Sequence, residues 1–152
     1  MSKLKIFLAT PISGFQSEEQ YILYRESVLL LVAELSNNYE VYCELQKILD
    51  IESYDTPQDS LKKDFNAIEE ADIFILLHPM RMQSSSLIEL GYACALRKKL
   101  VIVGTQNDLP YFVNGLVKPN YNSIIIHSSE INDKIITEIM DAISMLSSIE
   151  QN

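Results

Sequence analysis

Hydrophobic and polar residues follow one another along this chain in blocks that predict a regular succession of strands and helices. Short apolar runs rich in β-branched residues indicate buried strands, and longer stretches with apolar positions three or four residues apart indicate amphipathic helices. Strands are predicted at residues 4–9, 39–43, 72–77, 100–103 and 123–126. Helices are predicted at residues 18–35, 58–70, 86–97, near 109–116 and at 131–149.

The helical spacing also predicts which side chains face the core. Residues 44–57 are polar and irregular, which predicts a surface loop or a short helix before Pro57 opens the second helix. The expected inward positions are Ile22, Leu29, Val32 and Leu35 on the first helix, and Leu61, Phe65 and Ile68 on the second.

Alternation of strands with helices predicts an α/β fold, a three-layer α/β/α sandwich around a five-stranded parallel sheet in flavodoxin-like order. Residues 1–152 are expected to form one domain, because a chain of this length builds a single core. In such a sheet the loops that follow the strands share one edge, where ligands bind. The loops in question span residues 10–17, 78–86 and 104–115.

Composition and charge narrow the classes of function. A formal net charge of −9 argues against a nucleic acid partner, because phosphate backbones bind basic surfaces. No apolar run approaches the roughly 20 residues that span a bilayer, so no membrane partner is expected. Cys43 and Cys94 have neither disulfide nor zinc spacing, and the chain opens directly into a strand, which together favour a cytoplasmic protein.

Glu89 is the first candidate for chemistry. It follows the buried strand at 72–77 and a polar loop, so it lies at the ligand-binding edge of the predicted sheet. A glutamate there can attack a sugar C1′ as a nucleophile, through an oxocarbenium-like transition state. The alternative is a capping box, in which Ser86 caps the helix and Glu89 bonds back to the backbone.

Asp64 is the second candidate, because glycosidic reactions commonly need two carboxyl groups, one as nucleophile and one for proton transfer. The alternative for Asp64 is a solvated helix face. Neither histidines nor cysteines cluster with carboxylates at metal-ligand spacing, so neither a metal nor an organic cofactor is expected.

Two loops supply candidate binding residues. Ser84, Ser85 and Ser86 precede a helix, where hydroxyls and the helix dipole favour an anion such as a 5′-phosphate. The alternative is a plain polar loop with one capping serine. Thr10, Pro11, Ile12, Gly14 and Phe15 follow the first strand; Gly14 allows close backbone approach and Phe15 is suited to stack on a base. No dinucleotide or P-loop pattern is present.

These residues together resemble the nucleoside 2-deoxyribosyltransferase-like family, which includes nucleoside 5′-monophosphate N-glycosidases. The resemblance covers residues 4 to about 104 and rests on three blocks. They are the opening Lys-Ile-Phe-Leu-Ala-Thr-Pro-Ile, Asp64 followed by Ala-Asp and an apolar strand, and Glu-Leu-Gly-Tyr-Ala before Lys-Leu-Val-Ile-Val.

The resemblance implies cleavage or transfer at the N-glycosidic bond of a nucleoside or nucleoside 5′-monophosphate. Glu89 would be the nucleophile, Asp64 would support the sugar and proton transfer, and the protein would be a homo-oligomer. The transferases usually carry an acidic residue six positions before the nucleophile, where this chain has Gln83. The hydrolases instead place a phosphate-binding serine in this loop, so Gln83 and the three serines favour a hydrolase.

Two other interpretations stay open. A TIR-like NAD-cleaving enzyme shares the architecture and a glutamate after a serine-rich loop, although the Glu-Leu-Gly-Tyr-Ala block fits the first family better. A catalytically inactive nucleotide-binding or signalling module is the other, and Gln83 is the residue that favours it.

Overall fold

The computed structural model describes residues 2–46, 55–117 and 122–149, which form an α/β fold around a parallel sheet. Its strands are β1 (Lys5–Ala9), β2 (Glu40–Tyr42), β3 (Ile73–Leu77), β4 (Lys99–Val103) and β5 (Ser123–Ile126). Its helices are α1 (Glu18–Ser36), α2 (Pro57–Glu70), α3 (Ser86–Ala95) and α4 (Asp133–Ser147). Short 3₁₀ helices are described at Glu44–Gln46 and Val113–Val117.

The sheet has the strand order β2-β1-β3-β4-β5, and every described pairing is parallel, which confirms the predicted fold class. Phe7 of β1 shows the register, because it pairs with Tyr42 on one side and with Phe74 on the other. Its ring stacks on both neighbours, with centroids 5.2 Å and 5.4 Å away. The β1–β3 pairing at the middle of the sheet is thus reinforced by aromatic packing.

Two hydrophobic cores cover the two faces of the sheet. One lies under α1 and α4 and includes Ile75 and Val101, and the other lies under α2 and α3 and includes Phe74 and Ile102. All five residues of β3 are buried, because helices cover both of its faces. This explains why its sequence has no polar alternation.

The predicted inner faces of two helices need correction. Ile22 is 47% exposed and Leu61 is 49% exposed, although both were expected to face the core. In α1 the buried residues are Val28, Leu31, Val32 and Leu35. Residues 28–32 are all apolar, so helical spacing alone could not select the buried stripe. In α2 the fully buried residue is Ile68, in the C-terminal half of the helix.

Several element ends also differ from prediction. α3 ends at Ala95 rather than at residue 97, because Arg97 has a φ of +56°, outside the helical range. The 3₁₀ helix at Val113–Val117 lies later than the helix expected near 109–116. The predicted loop at 44–57 begins as a 3₁₀ helix, and its residues 47–54 lie outside the described part of the chain.

Among the described helices, none combines the length and apolar character needed to cross a bilayer. Cys43 is buried and Cys94 is half-buried, and both are free thiols. Burial raises the pKa of the Cys43 thiol to about 11, so the thiol stays protonated and unreactive near neutral pH.

Candidate active site

A cavity of about 370 Å³ opens between the loops that follow β1 and β3. These neighbouring strands feed helices on opposite faces of the sheet, α1 on one and α3 on the other. The two loops therefore diverge and leave a crevice, as at the switch point of other open parallel sheets. The cavity is lined by Thr10, Ile12, Ser13, Glu44, Asp55, Pro57, Ser60, Lys63, Asp64, Ser84, Ser85, Ser86 and Glu89.

Glu89 lies in the first turns of α3 and lines this cavity. The capping-box interpretation is wrong, because the N-cap is Ser85 and the helix already includes Ser86. Glu89 is thus the fourth helical residue, one position beyond the place where a capping-box glutamate reaches back. The Glu89 backbone N–H donates to the Ser85 carbonyl oxygen at 3.2 Å, as in a regular helix. The Glu89 side chain lines the cavity.

The environment of Glu89 favours its protonated form. The pKa of its carboxyl group is raised to about 8, mainly by burial and in addition by the negative charges of Asp64 and Glu44. Burial acts because a charged carboxylate loses hydration that the neutral acid needs less. A strongly perturbed carboxyl group in a cleft is typical of functional sites.

α2 places Asp64 in the lining of the same cavity. The Tyr42 hydroxyl lies 3.0 Å from Asp64 Oδ1 and 2.5 Å from Glu44 Oε1, in hydrogen-bonding geometry to both. Burial, followed by these two carboxyl groups, raises the pKa of the Tyr42 phenol well above its usual value. The phenol therefore keeps its proton at physiological pH and connects the two acids.

The three serines at the start of α3 all line the cavity. The Ser84 and Ser86 hydroxyls lie 2.6 Å apart, and the Ser86 backbone N–H donates to Ser84 Oγ at 3.2 Å. Ser85 is the N-cap but makes no side-chain capping hydrogen bond within the described structure. The Ser85 hydroxyl is therefore not used by the helix, which leaves it free to meet a ligand.

The first loop contributes only part of the predicted set. Thr10 and Ile12 line the cavity, and Thr10 Oγ1 bonds the Tyr24 hydroxyl at 2.6 Å. Gly14 has a φ of +87°, which favours glycine, and a Cβ there would lie 3.2 Å from Met82 Cε. Gly14 therefore lets this loop approach the loop after β3.

Four predicted binding residues do not line the cavity. Pro11 is buried, and Gly14 and Gln83 are exposed beside it. The Phe15 ring packs on Tyr21 and Tyr24, with centroids 5.3 Å and 5.1 Å away, instead of standing open. A direct role for any of these four stays a prediction.

Sequence reasoning missed Glu44 and Lys63, along with Ser13, Asp55, Pro57 and Ser60. One signal was available, since Glu44 comes two residues after β2 and so lies at the ligand-binding edge. Lys63 is paired with Asp55 at 2.7 Å, and both side chains are substantially exposed. Among the described residues that line the cavity, Lys63 is the only cation.

The third predicted loop, at residues 104–115, supplies no described residue to this cavity. Within the part of the chain that the structure describes, no group of three His, Cys, Asp or Glu residues is arranged to hold a metal ion.

By sequence, no protein-family model matches the chain, and no curated protein does either. Solved structures do match it by shape. One is the CMP N-glycosidase BcmB of Clostridium botulinum, with a TM-score of 0.60 and 22% identity. That match covers 90% of this chain and 98% of BcmB.

Two further structures have a similar shape. The solution structure of BlsM has a TM-score of 0.75 and 18% identity, and covers 95% of this chain and 92% of its own. A conserved protein from Enterococcus faecalis V583 has a TM-score of 0.57 and 17% identity, and covers 92% of this chain and 99% of its own. At these identities the likeness concerns the fold, and the chain has the nucleoside 2-deoxyribosyltransferase-like fold.

Proposed function

We propose that this protein is an enzyme that cleaves the N-glycosidic bond of a nucleoside 5′-monophosphate, with Glu89 as the nucleophile. The observation that carries the proposal is the half-buried Glu89 side chain, which lines a cavity together with Asp64 and a serine-rich helix start. A volume of about 370 Å³ is within the range of small-ligand sites. The shared fold with a CMP N-glycosidase supports the same chemistry.

The two carboxyl groups divide the reaction between them. Glu89 attacks C1′ and forms a glycosyl-enzyme ester, which water then hydrolyses. Asp64 supports the sugar as positive charge develops at C1′. The same positive charge favours the ionised form of Glu89, whose pKa of about 8 keeps it largely protonated in the empty cavity at neutral pH.

The start of α3 is the proposed place for the 5′-phosphate. Three hydroxyl groups meet there at the positive end of a helix, where anions are stabilised. Lys63, which pairs with the exposed Asp55, is the cation available for the same phosphate. The remaining charges of the cavity are carboxyl groups, which suit the developing cation of the sugar rather than an anion.

Base release by chromatography tests the proposal directly. Wild-type protein should release base from a nucleoside 5′-monophosphate, and Glu89→Gln should reduce the rate by several orders of magnitude, because the covalent step is lost. Glu69→Gln is the matched control, because Glu69 is an exposed α2 residue that bonds Tyr92 outside the cavity. Wild-type turnover by Glu89→Gln would contradict the assignment.

The substrate panel separates the neighbouring interpretations. Equal rates on nucleosides and their 5′-monophosphates would contradict the phosphate site, and so would an unchanged preference in the Ser85→Ala, Ser86→Ala double variant. Transfer of the sugar to a second base would indicate a transferase. Cleavage of NAD alone would favour a TIR-like enzyme, and nucleotide binding without any base release would favour an inactive module.

A further inference from the structure

A pair of hydroxyl groups connects the first loop to α1 beside the cavity. Thr10 directly follows β1 and lines the cavity, and its Oγ1 lies 2.6 Å from the hydroxyl of Tyr24 in α1. The Tyr24 ring packs against the core under α1 and α4. Tyr24 is not part of the described cavity lining, so any effect of Tyr24 on a ligand passes through Thr10.

We propose that Tyr24 donates its hydrogen bond to Thr10, which fixes Thr10 as a hydrogen-bond donor toward the nucleobase, and that this donor stabilises the base as it leaves. This inference rests on the proposed N-glycosidase function. It gives the Thr10 hydroxyl a defined direction and makes Tyr24 a positioning residue that acts through Thr10.

The direction of the Thr10–Tyr24 hydrogen bond follows from the surroundings of the two hydroxyl groups. Each hydroxyl has one proton, so only one of the two donates in this bond. Among the described residues, Thr10 Oγ1 is the one hydrogen-bond partner of the Tyr24 hydroxyl. A phenol proton left without an acceptor away from water would cost free energy, whereas the Thr10 proton can reach the cavity. Tyr24 is thus the donor.

The titration of the neighbouring groups agrees with this direction. Burial raises the pKa of the Tyr24 phenol well above its usual value, so the phenol has a proton to donate at physiological pH. The Cys43 thiol is also near Tyr24, but burial raises its pKa to about 11, and a protonated thiol is a weak acceptor. Thr10 remains the better acceptor for the Tyr24 proton.

Accepting a bond from Tyr24 changes what Thr10 offers to a ligand. One lone pair of Thr10 Oγ1 is engaged by Tyr24, and the Thr10 proton is left for the cavity that the residue lines. A hydroxyl that accepts one hydrogen bond donates the next more strongly, because the two bonds polarise each other. Tyr24 therefore makes Thr10 a stronger and better oriented donor.

The distribution of donors and acceptors around the cavity indicates which part of the substrate meets Thr10. The start of α3 supplies hydroxyls for the phosphate, and the carboxyl groups of Glu44 and Asp64 suit the hydroxyl donors of the sugar. The first loop adds the hydroxyls of Thr10 and Ser13 beside the apolar Ile12. Apolar surface with a few polar groups suits a flat heterocycle, whose ring nitrogens and carbonyl oxygens accept hydrogen bonds.

The hydrogen bond from Thr10 gains strength as the reaction proceeds. When the C1′–N bond breaks, its electron pair stays on the base, and negative charge spreads to the acceptor atoms of the base. A donor already aimed at one of these atoms stabilises the transition state more than the ground state. Thr10 keeps its proton throughout, so its contribution is electrostatic and transfers no proton to the base.

The kinetics of base release from a nucleoside 5′-monophosphate test the role of Thr10. Thr10→Val removes the hydroxyl at nearly constant shape and should lower kcat roughly 10- to 100-fold, with KM changed less than about threefold, because the bond strengthens as the base leaves. Thr10→Ser keeps a hydroxyl and should retain most of the rate. Thr137→Val and Tyr92→Phe are the matched controls, because their hydroxyls bond Asp133 and Glu69 outside the cavity.

A double-mutant cycle separates positioning by Tyr24 from a structural role. Tyr24→Phe alone should lower kcat about 3- to 10-fold, because the Thr10 hydroxyl is no longer held as a donor. In the Thr10→Val background the same change should have less than about a twofold effect, because no hydroxyl is left to orient. The double variant also removes the phenol that Thr10→Val leaves without its partner, so its kcat tests Thr10 even if Thr10→Val alone fails to fold.

Several results would overturn the inference. Wild-type kcat in Thr10→Val, or a loss confined to KM, would show that Thr10 does not stabilise the leaving base. An unchanged or higher rate in Tyr24→Phe would show that Tyr24 does not hold Thr10 as a donor, and equal effects in both backgrounds would make Tyr24 purely structural. These results leave the proposed function intact if Glu89→Gln still abolishes base release. If the wild type releases no base, the proposed function itself fails and the inference falls with it.

Discussion

Glu89 is partly buried, so ionisation of its carboxyl group lowers the stability of the folded protein. The ordinary pKa of a glutamate is 4.5, and in the folded protein burial and two carboxylates raise that of Glu89 to about 8. Because the folded pKa is the higher one, the folded state binds the proton more tightly. The stability that this provides is complete below the unfolded pKa and is lost as the pH rises through about 8.

Glu89→Gln should therefore change the pH dependence of unfolding. Relative to the wild type, the variant should gain on the order of 4 kcal/mol between pH 5 and pH 9, because the amide never ionises. Urea unfolding at the two pH values measures the difference, and Glu69→Gln provides the comparison. Identical pH dependence in wild type and Glu89→Gln would show that the folded protein does not penalise the charge.

Replacement of glycine by alanine can be compared at a crowded position, Gly104, and at an open one, Gly91. A Cβ on Gly104 would lie 2.9 Å from the His78 carbonyl oxygen and 2.8 Å from Leu109 Cδ2, whereas a Cβ on Gly91 meets nothing within 4 Å in the described structure. Gly104→Ala should cost about 1–3 kcal/mol through overpacking. Gly91→Ala should stabilise α3 by roughly 0.5–1 kcal/mol, because alanine loses less backbone entropy. Thermal unfolding of both variants checks the two signs.

At the scale of the element, α1 and α3 differ in whether the N-cap side chain bonds the helix. Ser17 caps α1 with its hydroxyl, which accepts from the Gln20 backbone N–H at 3.1 Å, whereas Ser85 makes no such bond at α3. This difference supports a binding role for Ser85, since its side chain contributes nothing to the described helix start.

Ser17→Ala should lower the free energy of unfolding by about 1 kcal/mol, the usual value of a lost cap. Ser85→Ala should change it by less than about 0.5 kcal/mol, since surface substitutions without a cap bond have small effects. Chemical unfolding of the two variants provides the measurement. A larger loss in Ser85→Ala than in Ser17→Ala would assign Ser85 to the helix instead of to a ligand.

At the scale of the whole molecule, the central strands anchor both cores. Every residue of β3 is buried, and β3 pairs with β1 and β4, while β2 and β5 are edge strands with partly exposed residues. The cavity lies beside β1 and β3, so its most rigid support comes from the best-protected part of the sheet.

Native-state hydrogen exchange should reflect this arrangement. Backbone amides of β1, β3 and β4 should exchange slowest, through near-global unfolding, and those of β2 and β5 should exchange faster by local opening. Mass spectrometry of peptides from each strand measures the order. Faster exchange in β3 than in β5 would mean that the cavity side of the sheet opens first.

Local sequence patterns were sufficient to predict most strands and helices of this protein and the order of the sheet. Short, continuous apolar runs such as Ile73–Leu77 that alternate with helical stretches are typical of buried parallel strands. The strand–helix alternation, the parallel sheet and its order could therefore be predicted from the sequence. The same alternation located Glu89 and the serines at the ligand-binding edge, because the carboxyl end of every parallel strand lies there.

Tertiary packing decided what depends on residues far apart in the chain. Residues 28–32 of α1 are all apolar, so only their packing against the sheet determines which of them are buried. The same packing leaves Ile22, nearer the start of the helix, exposed. Glu44 reaches Asp64, 20 positions away, through a phenol on an edge strand, and no local spacing encodes that meeting. Periodicity reports the face of one element, whereas a cavity is made where several elements converge, so its full lining emerged only from the folded chain.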